Sequence, residues 1–312
     1  MPRPLAVEIL DAIVTSYRKG RNHQDVRPTE VRDFEVSDFE RLEIAGPFDV
    51  EVQIGAAASV QARGPEWALD AISVEQDGER LFIGCDGECD GDVSMTVTVP
   101  QLSALRVSGS GDVSIDRIKG EQFESASSGS GDLSIDRLDV RSIKLSAAGS
   151  GDVEIDKLRG TELEATLMGS GDLTVDGLEC SEFKLSMNGS GDARIDEYSG
   201  DGVEAVLSGS GDLGIETIEA RSVKLALFGS GDVYVGGGEV TEAILETAGS
   251  GDISAESLTA AEARVSVCGS GDVSARATDR AEIAVMGSGD VSVTGGAKCT
   301  IRGSGSGEVH CS

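Results

Sequence analysis

The sequence predicts an all-β fold, a right-handed parallel β-helix of about eleven coils with a strand-rich N-terminal cap and a short leading helix. Three observations predict it. The phrase Gly-Ser-Gly-Asp begins at Gly109, Gly129, Gly149, Gly169, Gly189, Gly209, Gly229, Gly249 and Gly269, twenty residues apart each time. It returns at Gly287 and, as Gly-Ser-Gly-Glu, at Gly305, where the spacing shortens to eighteen. A fixed period of this size marks one supersecondary unit stacked on itself. Within each unit apolar and polar residues alternate in twos, twice over, which is the period of a strand. Like strands twenty residues apart cannot form hairpins with one another, so they stack in parallel. Parallel crossovers are overwhelmingly right-handed.

The chain divides into three segments: a leading helix and linker over 1–33, a strand-rich cap over 34–107 and the repeats over 108–312. In the first, Leu5, Ala6, Ile9, Leu10, Ile13, Val14 and Tyr17 recur at helical spacing. The helix expected over residues 4–19 ends in Arg18, Lys19 and Arg21, where cations suit the helix dipole. It has three open destinations: docking on the rod, pairing with another copy, or contacting another protein. Residues 22–28 read as a linker. In the cap, Phe48, Val50, Val52 and Ile54 form one apolar face and Val93, Met95, Val97 and Val99 another. Gly46-Pro47, Gln76-Asp77-Gly78 and the stretch 86–92 supply its turns. Without the twenty-residue beat, this segment suits the atypical end unit that a repeat array needs.

Counting each unit from its first glycine, positions 5, 7, 10, 15 and 17 point inward. Position 7 runs Ile115, Ile135, Ile155, Val175, Ile195, Ile215, Val235. The same count places Ile283 at position 15 and Val285 at position 17 of the unit that starts at Gly269. Coils separated by the ~4.8 Å of paired strands make a rod on the order of 50 Å long.

Each corner must turn sharply, and glycine tolerates positive φ and close approach. Serine hydroxyls can bond a carbonyl or the serine of the next coil, and the aspartate can accept from turn amides. Stacking, however, lines up Asp112, Asp132, Asp152, Asp172, Asp192, Asp212, Asp232, Asp252, Asp272 and Asp290 on one edge, with a glutamate after them. Neighbours ~4.8 Å apart repel by ~1 kcal/mol even at the dielectric of water. Turn amides, bound cations or shared protons would offset this. No metal or other cofactor is required by the pattern; calcium along the ladder is the cation alternative, though known calcium β-rolls use a nine-residue repeat. Asp86, Glu88, Asp90 and Asp92 form a second acidic cluster, read as a hairpin tip with calcium as its alternative.

The net charge of −30 argues against nucleic acid or an anionic membrane as partner. No apolar run approaches the ~18 residues of a spanning helix, and Glu8 and Asp11 break up what would be a signal peptide. The six cysteines are scattered and read as reduced thiols, with a Cys85–Cys89 disulfide open to an exported chain. Cys299, His310 and Cys311 suggest metal ligands, but Cys311 falls at an inward position and reads as a core residue. With only His23 and His310 present, histidine-based catalysis has little to draw on, and no catalytic or cofactor-binding residue stands out.

Two stretches carry a resemblance. Asp38-Phe39-Glu40-Arg41-Leu42-Glu43-Ile44-Ala45-Gly46-Pro47-Phe48-Asp49-Val50-Glu51-Val52, and Val97-Thr98-Val99-Pro100-Gln101-Leu102 leading into the Gly-Ser-Gly-Asp coils, resemble the family of the putative auto-transporter adhesin, head GIN domain. The resemblance spans residues 37–308 and implies a β-helix found on exported or envelope proteins of bacteria, with no catalytic residues. The compartment stays open, since the resemblance points to the envelope and the N-terminus to the cytoplasm.

The expected function is that of a non-catalytic, rigid, acidic solenoid, adhesin-like or a scaffold for assembly. One alternative is a polysaccharide-binding or polysaccharide-cleaving β-helix. Cleavage needs converging carboxylates and aromatics, whereas these coils carry no insertions and few aromatics. Phe123 and Phe183 occupy a core column, and Tyr234, at an outward position, is the best candidate for a contact. A further alternative is self-association, end to end or side by side, through an uncapped C-terminal coil or the N-terminal helix. A glycan, or a basic protein drawn to a mimic of nucleic acid, completes the expected partners.

Overall fold

The computed structural model of the protein describes residues 29–87, 89, 93–303 and 305–312. The leading helix and linker expected over residues 4–28 lie outside the described residues, as do Glu88, Asp90 and Asp92 of the acidic tip. The described chain is a parallel β-solenoid of about ten turns, which are the intervals between its eleven repeat corners.

The strands Leu133–Ala147, Val153–Leu167 and Leu173–Met187 each run through two faces of a coil without a break. They pair in parallel with a constant offset of twenty residues: Ile135 faces Ile155, which faces Val175, and Ile143 faces Leu163, which faces Phe183. This register sets like on like, so each inward position becomes a continuous apolar column. Leu138, Leu158, Leu178, Tyr198 and Ile218 close the column at the bend, all buried. Position 19 is a further inward column that the sequence reading missed. Leu167, Met187, Leu207, Leu227 and Val267 are buried there, and polar Thr247 within the series masked its pattern.

The shortened ninth repeat, which starts at Gly269, corrects the sequence count. Its two missing residues fall between Ala255 and Glu262 of the preceding coil, where the ladder slips. Ala281 therefore faces Ala263, Ile283 faces Val265 and Val285 faces Val267. Ile283 belongs to the position-17 column and Val285 to the position-19 column. The slip of two preserves which face each side chain takes, because strand side chains alternate with period two.

The first described strand of the cap starts at Thr29, within the segment that the sequence grouped with the leading helix. Thr29–Phe34 pairs antiparallel with Ser59–Pro65, which pairs antiparallel with Ser94–Val99. The strand Ile72–Asp77 covers Arg80–Cys85 in the same way. Its hairpin turns at Gly78, whose φ of 59° is the left-handed region that favours glycine. A short helix, Glu66–Asp70, buries Ala68 and Leu69. Between cap and repeats lies one further rung, since Arg41–Gly46 pairs in parallel with Ala104–Gly109 and Asp49–Ile54 with Ser94–Val99 and Val113–Ile115. Phe48, Val50 and Val52 are buried as expected, but Ile54 at the strand end is 38% exposed.

At the other end, Lys298–Gly303 and Val309–Cys311 form the last rung. Cys299 lies in the position-15 column and Cys311 in the position-7 column, opposite Ala281 and Val293. A disulfide joins them across the coil.

Candidate functional site

The aspartate edge is the most regular chemical feature of the molecule. All ten corner aspartates are exposed. The backbone N–H of Asp132 donates to the Asp112 carboxylate at 2.9 Å, that of Asp152 to Asp132 at 2.8 Å and that of Asp172 to Asp152 at 2.9 Å. Asp192, Asp212, Asp232, Asp252, Asp272 and Asp290 continue the series at 2.7–2.8 Å, each donating to the aspartate one coil before. Glu308 closes it on Asp290 at 2.7 Å. Of the three remedies for stacked carboxylates, the structure shows turn amides: each negative side chain faces an N–H dipole of the next coil. Among the described residues no group of three or more His, Cys, Asp or Glu is placed to hold a metal ion. Asp86, the described member of the acidic tip, uses its N–H on the Ala71 carbonyl at 2.7 Å.

The ridge also has a member that sequence reading missed. The N–H of Asp112 donates to Asp49 at 3.1 Å, and Gly46 faces Gly109. Gly46-Pro47-Phe48-Asp49 is thus a corner of the same kind. Its signal was the Gly-x-x-Asp spacing, hidden because proline and phenylalanine replace serine and glycine.

Corner glycines are required by proximity more than by torsion. Only Gly109 and Gly129 among them reach the positive-φ range, at 155°. A Cβ on Gly149 would run into the Gly129 carbonyl oxygen, and one on Gly151 into that of Gly131. The Ser150 N–H donates to the Gly129 carbonyl at 2.9 Å in the same stack. The backbones touch at the corner, and no side chain larger than hydrogen fits.

The outward column at position 16 handles charge differently. Glu124, Lys144, Glu164, Lys184, Glu204 and Lys224 lie over one another in register, alternating in sign. Lys144 reaches Glu164 at 3.3 Å and Lys224 reaches Glu204 at 2.9 Å. The hydrogen bond to Lys224, and then its charge, holds the Glu204 carboxyl below the usual carboxylate range. Exposed pairs of this kind stabilise little singly; here they remove the repulsion that an all-acid column would create.

Four cysteines are paired, Cys85 with Cys89 and Cys299 with Cys311, which corrects the expectation of reduced thiols and of Cys311 as a simple core residue. Cys180 is buried and free, and Cys268 is exposed and free. Burial, followed by the nearby Glu182 carboxylate, pushes the Cys180 thiol up to about 12. Tyr198 packs near Phe183 and donates its hydroxyl to the Gly202 carbonyl at 2.7 Å. Its phenol is also raised, by burial first and by Cys180 second. Neither group is accessible to a substrate.

On the outer surface of the coils, Tyr234 is 50% exposed, as the sequence reading expected of it, and Phe228 is 53% exposed. A shallow groove of about 300 Å³ crosses the last coils, lined by Ile244, Glu246, Arg264, Ala284 and Arg302. It brings together apolar surface and mixed charge, with Glu246 and Glu282 set among Arg264 and Arg302.

A family model described as putative auto-transporter adhesin, head GIN domain, matches residues 38–213 and 195–297. No protein of curated function matches the chain. Among solved structures, a putative adhesin from Parabacteroides distasonis is 17% identical, covers 92% of this chain and 98% of its own, and superposes with a TM-score of 0.45. A putative adhesin from Parabacteroides merdae is 15% identical, with coverages of 91% and 96% and a TM-score of 0.42. A putative lipid binding protein from Parabacteroides distasonis is 22% identical, with the same coverages and a TM-score of 0.36.

Proposed function

The chain belongs to the family of the putative auto-transporter adhesin, head GIN domain, and from that premise we propose that it is a rigid, acidic, non-catalytic binding solenoid of adhesin-like type. One observation carries the proposal. The ridge carboxylates run side by side at one-coil intervals, each with an oxygen held by a backbone amide of the next coil. Glycoside cleavage instead uses two carboxyl groups flanking one bond, with an acid and a base of opposed protonation. Uninterrupted coils support the same reading, because chemistry usually sits on loops that a scaffold carries. The two disulfides support work in an oxidising compartment outside the cytoplasm.

The test uses beads coated with the full chain, applied to immobilised bacterial and mucosal surface polysaccharides. The expected result is retention of the beads with no release of new reducing ends over hours. Steady release of reducing ends, abolished by heat, would overturn the non-catalytic assignment. Failure to adhere to any of these surfaces would overturn the adhesin-like one.

A further inference from the structure

The geometry points to a glycan-binding notch on the outer face of the middle coils, walled by Tyr234 and Arg194, that takes an uncharged polysaccharide. This inference rests on the binding role proposed above and names its site and ligand class. Arg194, Gly214 and Tyr234 occupy the same outward position in three successive coils, in direct register. Ser254 follows them. Elsewhere this column holds Ser114, Ser134, Glu154, Thr174, Ser274, Ser292 and, in the last rung, His310, so Tyr234 is its one phenol and a departure within the middle coils.

The departure has a shape. Gly214 stands in open space, where a Cβ would meet nothing within 4 Å. Unlike the corner glycines, it is required by no neighbour in the fold. Its effect is to leave no side chain at the rung between Arg194 and Tyr234, whose backbones stand about two strand spacings apart, roughly 10 Å. The Arg194 guanidinium leans toward this gap, ion-paired with Asp196 of its own coil at 2.7 Å and with Glu216 of the Gly214 coil at 3.2 Å, and so forms one wall. On the other wall the Tyr234 ring is half exposed, with the small residues Gly214 and Ser254 as its column neighbours.

The chemistry of the rim selects the ligand. Asp212 and Asp232 lie two residues before Gly214 and Tyr234, on the same side of the strand. Each spends one carboxylate oxygen on the N–H of the next coil, at 2.7 Å and 2.8 Å. The second oxygen of each remains an acceptor toward solvent. An aromatic face beside acceptor-only carboxylates suits a pyranose ring, which offers an apolar C–H face to stack and hydroxyl groups to donate. Arg194 is already neutralised by its two carboxylates, and the net charge is −30. Sialylated or uronate polymers are therefore repelled, and a neutral hexose or N-acetylhexosamine polymer lying along the rod is the ligand class that fits.

The test titrates the full chain with neutral oligosaccharides (cello-, malto- and chito-oligosaccharide series) and with a uronate oligomer, followed by saturation-transfer NMR and calorimetry. Wild type is expected to bind one neutral series and not the uronate. Tyr234→Ala should weaken that binding about tenfold or more, as loss of a central aromatic contact does, while Tyr234→Phe retains it. Gly214→Gln should abolish it by filling the notch while leaving the melting temperature unchanged, because the fold has room for the side chain. The inference is overturned if no neutral series binds, if the uronate binds better, or if Tyr234→Ala and Gly214→Gln bind like wild type. The bead-adhesion assay, run on the same variants, separates the two readings. Beads that still adhere with Tyr234→Ala sink the notch and leave the adhesin-like role, whereas wild-type beads that never adhere sink the role.

Discussion

The two ends of the described solenoid are held by different physics. At the N-terminal end, antiparallel strands and a one-turn helix lie over the first rung, and Phe39, Phe48, Leu42 and Leu81 are essentially inaccessible. Water is kept out by bulk. At the C-terminal end, Ile301 continues an inward column and is nevertheless 51% exposed. That rung is held instead by a covalent strap, Cys299 to Cys311, across the interior of the coil. The difference teaches that a solenoid rung needs a neighbour on each side for its apolar column to be worth burying. Where large side chains close the stack, transfer free energy does the work. Where they do not, a crosslink limits the entropy that fraying would release.

The sharpest way to break this comparison is to delete bulk at each end in turn. Phe48→Ala is expected to destabilise the molecule by about 3–5 kcal/mol, the usual loss for a buried aromatic. Ile301→Ala should change stability by less than about 0.5 kcal/mol, as exposed positions do. Chemical denaturation compares the two, and equal losses would show that the ends are held alike. The next largest effect tests the strap. Replacing Cys299 and Cys311 by serine should cost about 3 kcal/mol on the loop-closure estimate for a span of this length. The loss should be local, so hydrogen exchange is expected to quicken in Lys298–Gly303 and to stay slow in Asp49–Ile54. Uniform quickening would overturn the local strap.

The smallest expected effect places the middle of the rod against both ends. The Cys180 thiol is pushed from 9.0 up to about 12 by burial and by Glu182. The unfolded chain releases this proton at the ordinary value while the folded chain holds it. Stability is thus intact below about pH 9 and declines as pH rises toward 12, because the unfolded state then binds fewer protons than the folded one. Cys180→Ala should make the fall in melting temperature across that window shallower, with the raised Tyr198 phenol accounting for part of what remains. An alkaline slope as steep as that of wild type would mean that the buried thiol is not what loosens the middle coils.

Much of this organisation was readable from residues alone. The twenty-residue beat dictates the parallel register, and the alternation within each unit dictates the faces. The slip in the ninth repeat was not readable, since Gly287 shows that two residues are missing but not where; only the pairing of Ala281 with Ala263 locates the gap. The Gly46–Asp49 corner escaped because its side chains differ from those of the later corners while its backbone does not. The Cys299–Cys311 pair escaped because a sequence separation of 12 says nothing of two columns that meet across a coil. The notch at Gly214 escaped because a lone glycine in a strand has the same letter whether a backbone presses on it or nothing does.

The sequence by itself determined the period, the inward columns and the sign of the ridge, because each follows from local alternation repeated at constant spacing. Only the tertiary structure decided how the ridge tolerates its charge, where the register slips, which glycines are crowded and which stand free, and how each end is closed. Those outcomes depend on distances between coils, and a distance across twenty residues of chain exists only once the coils have stacked.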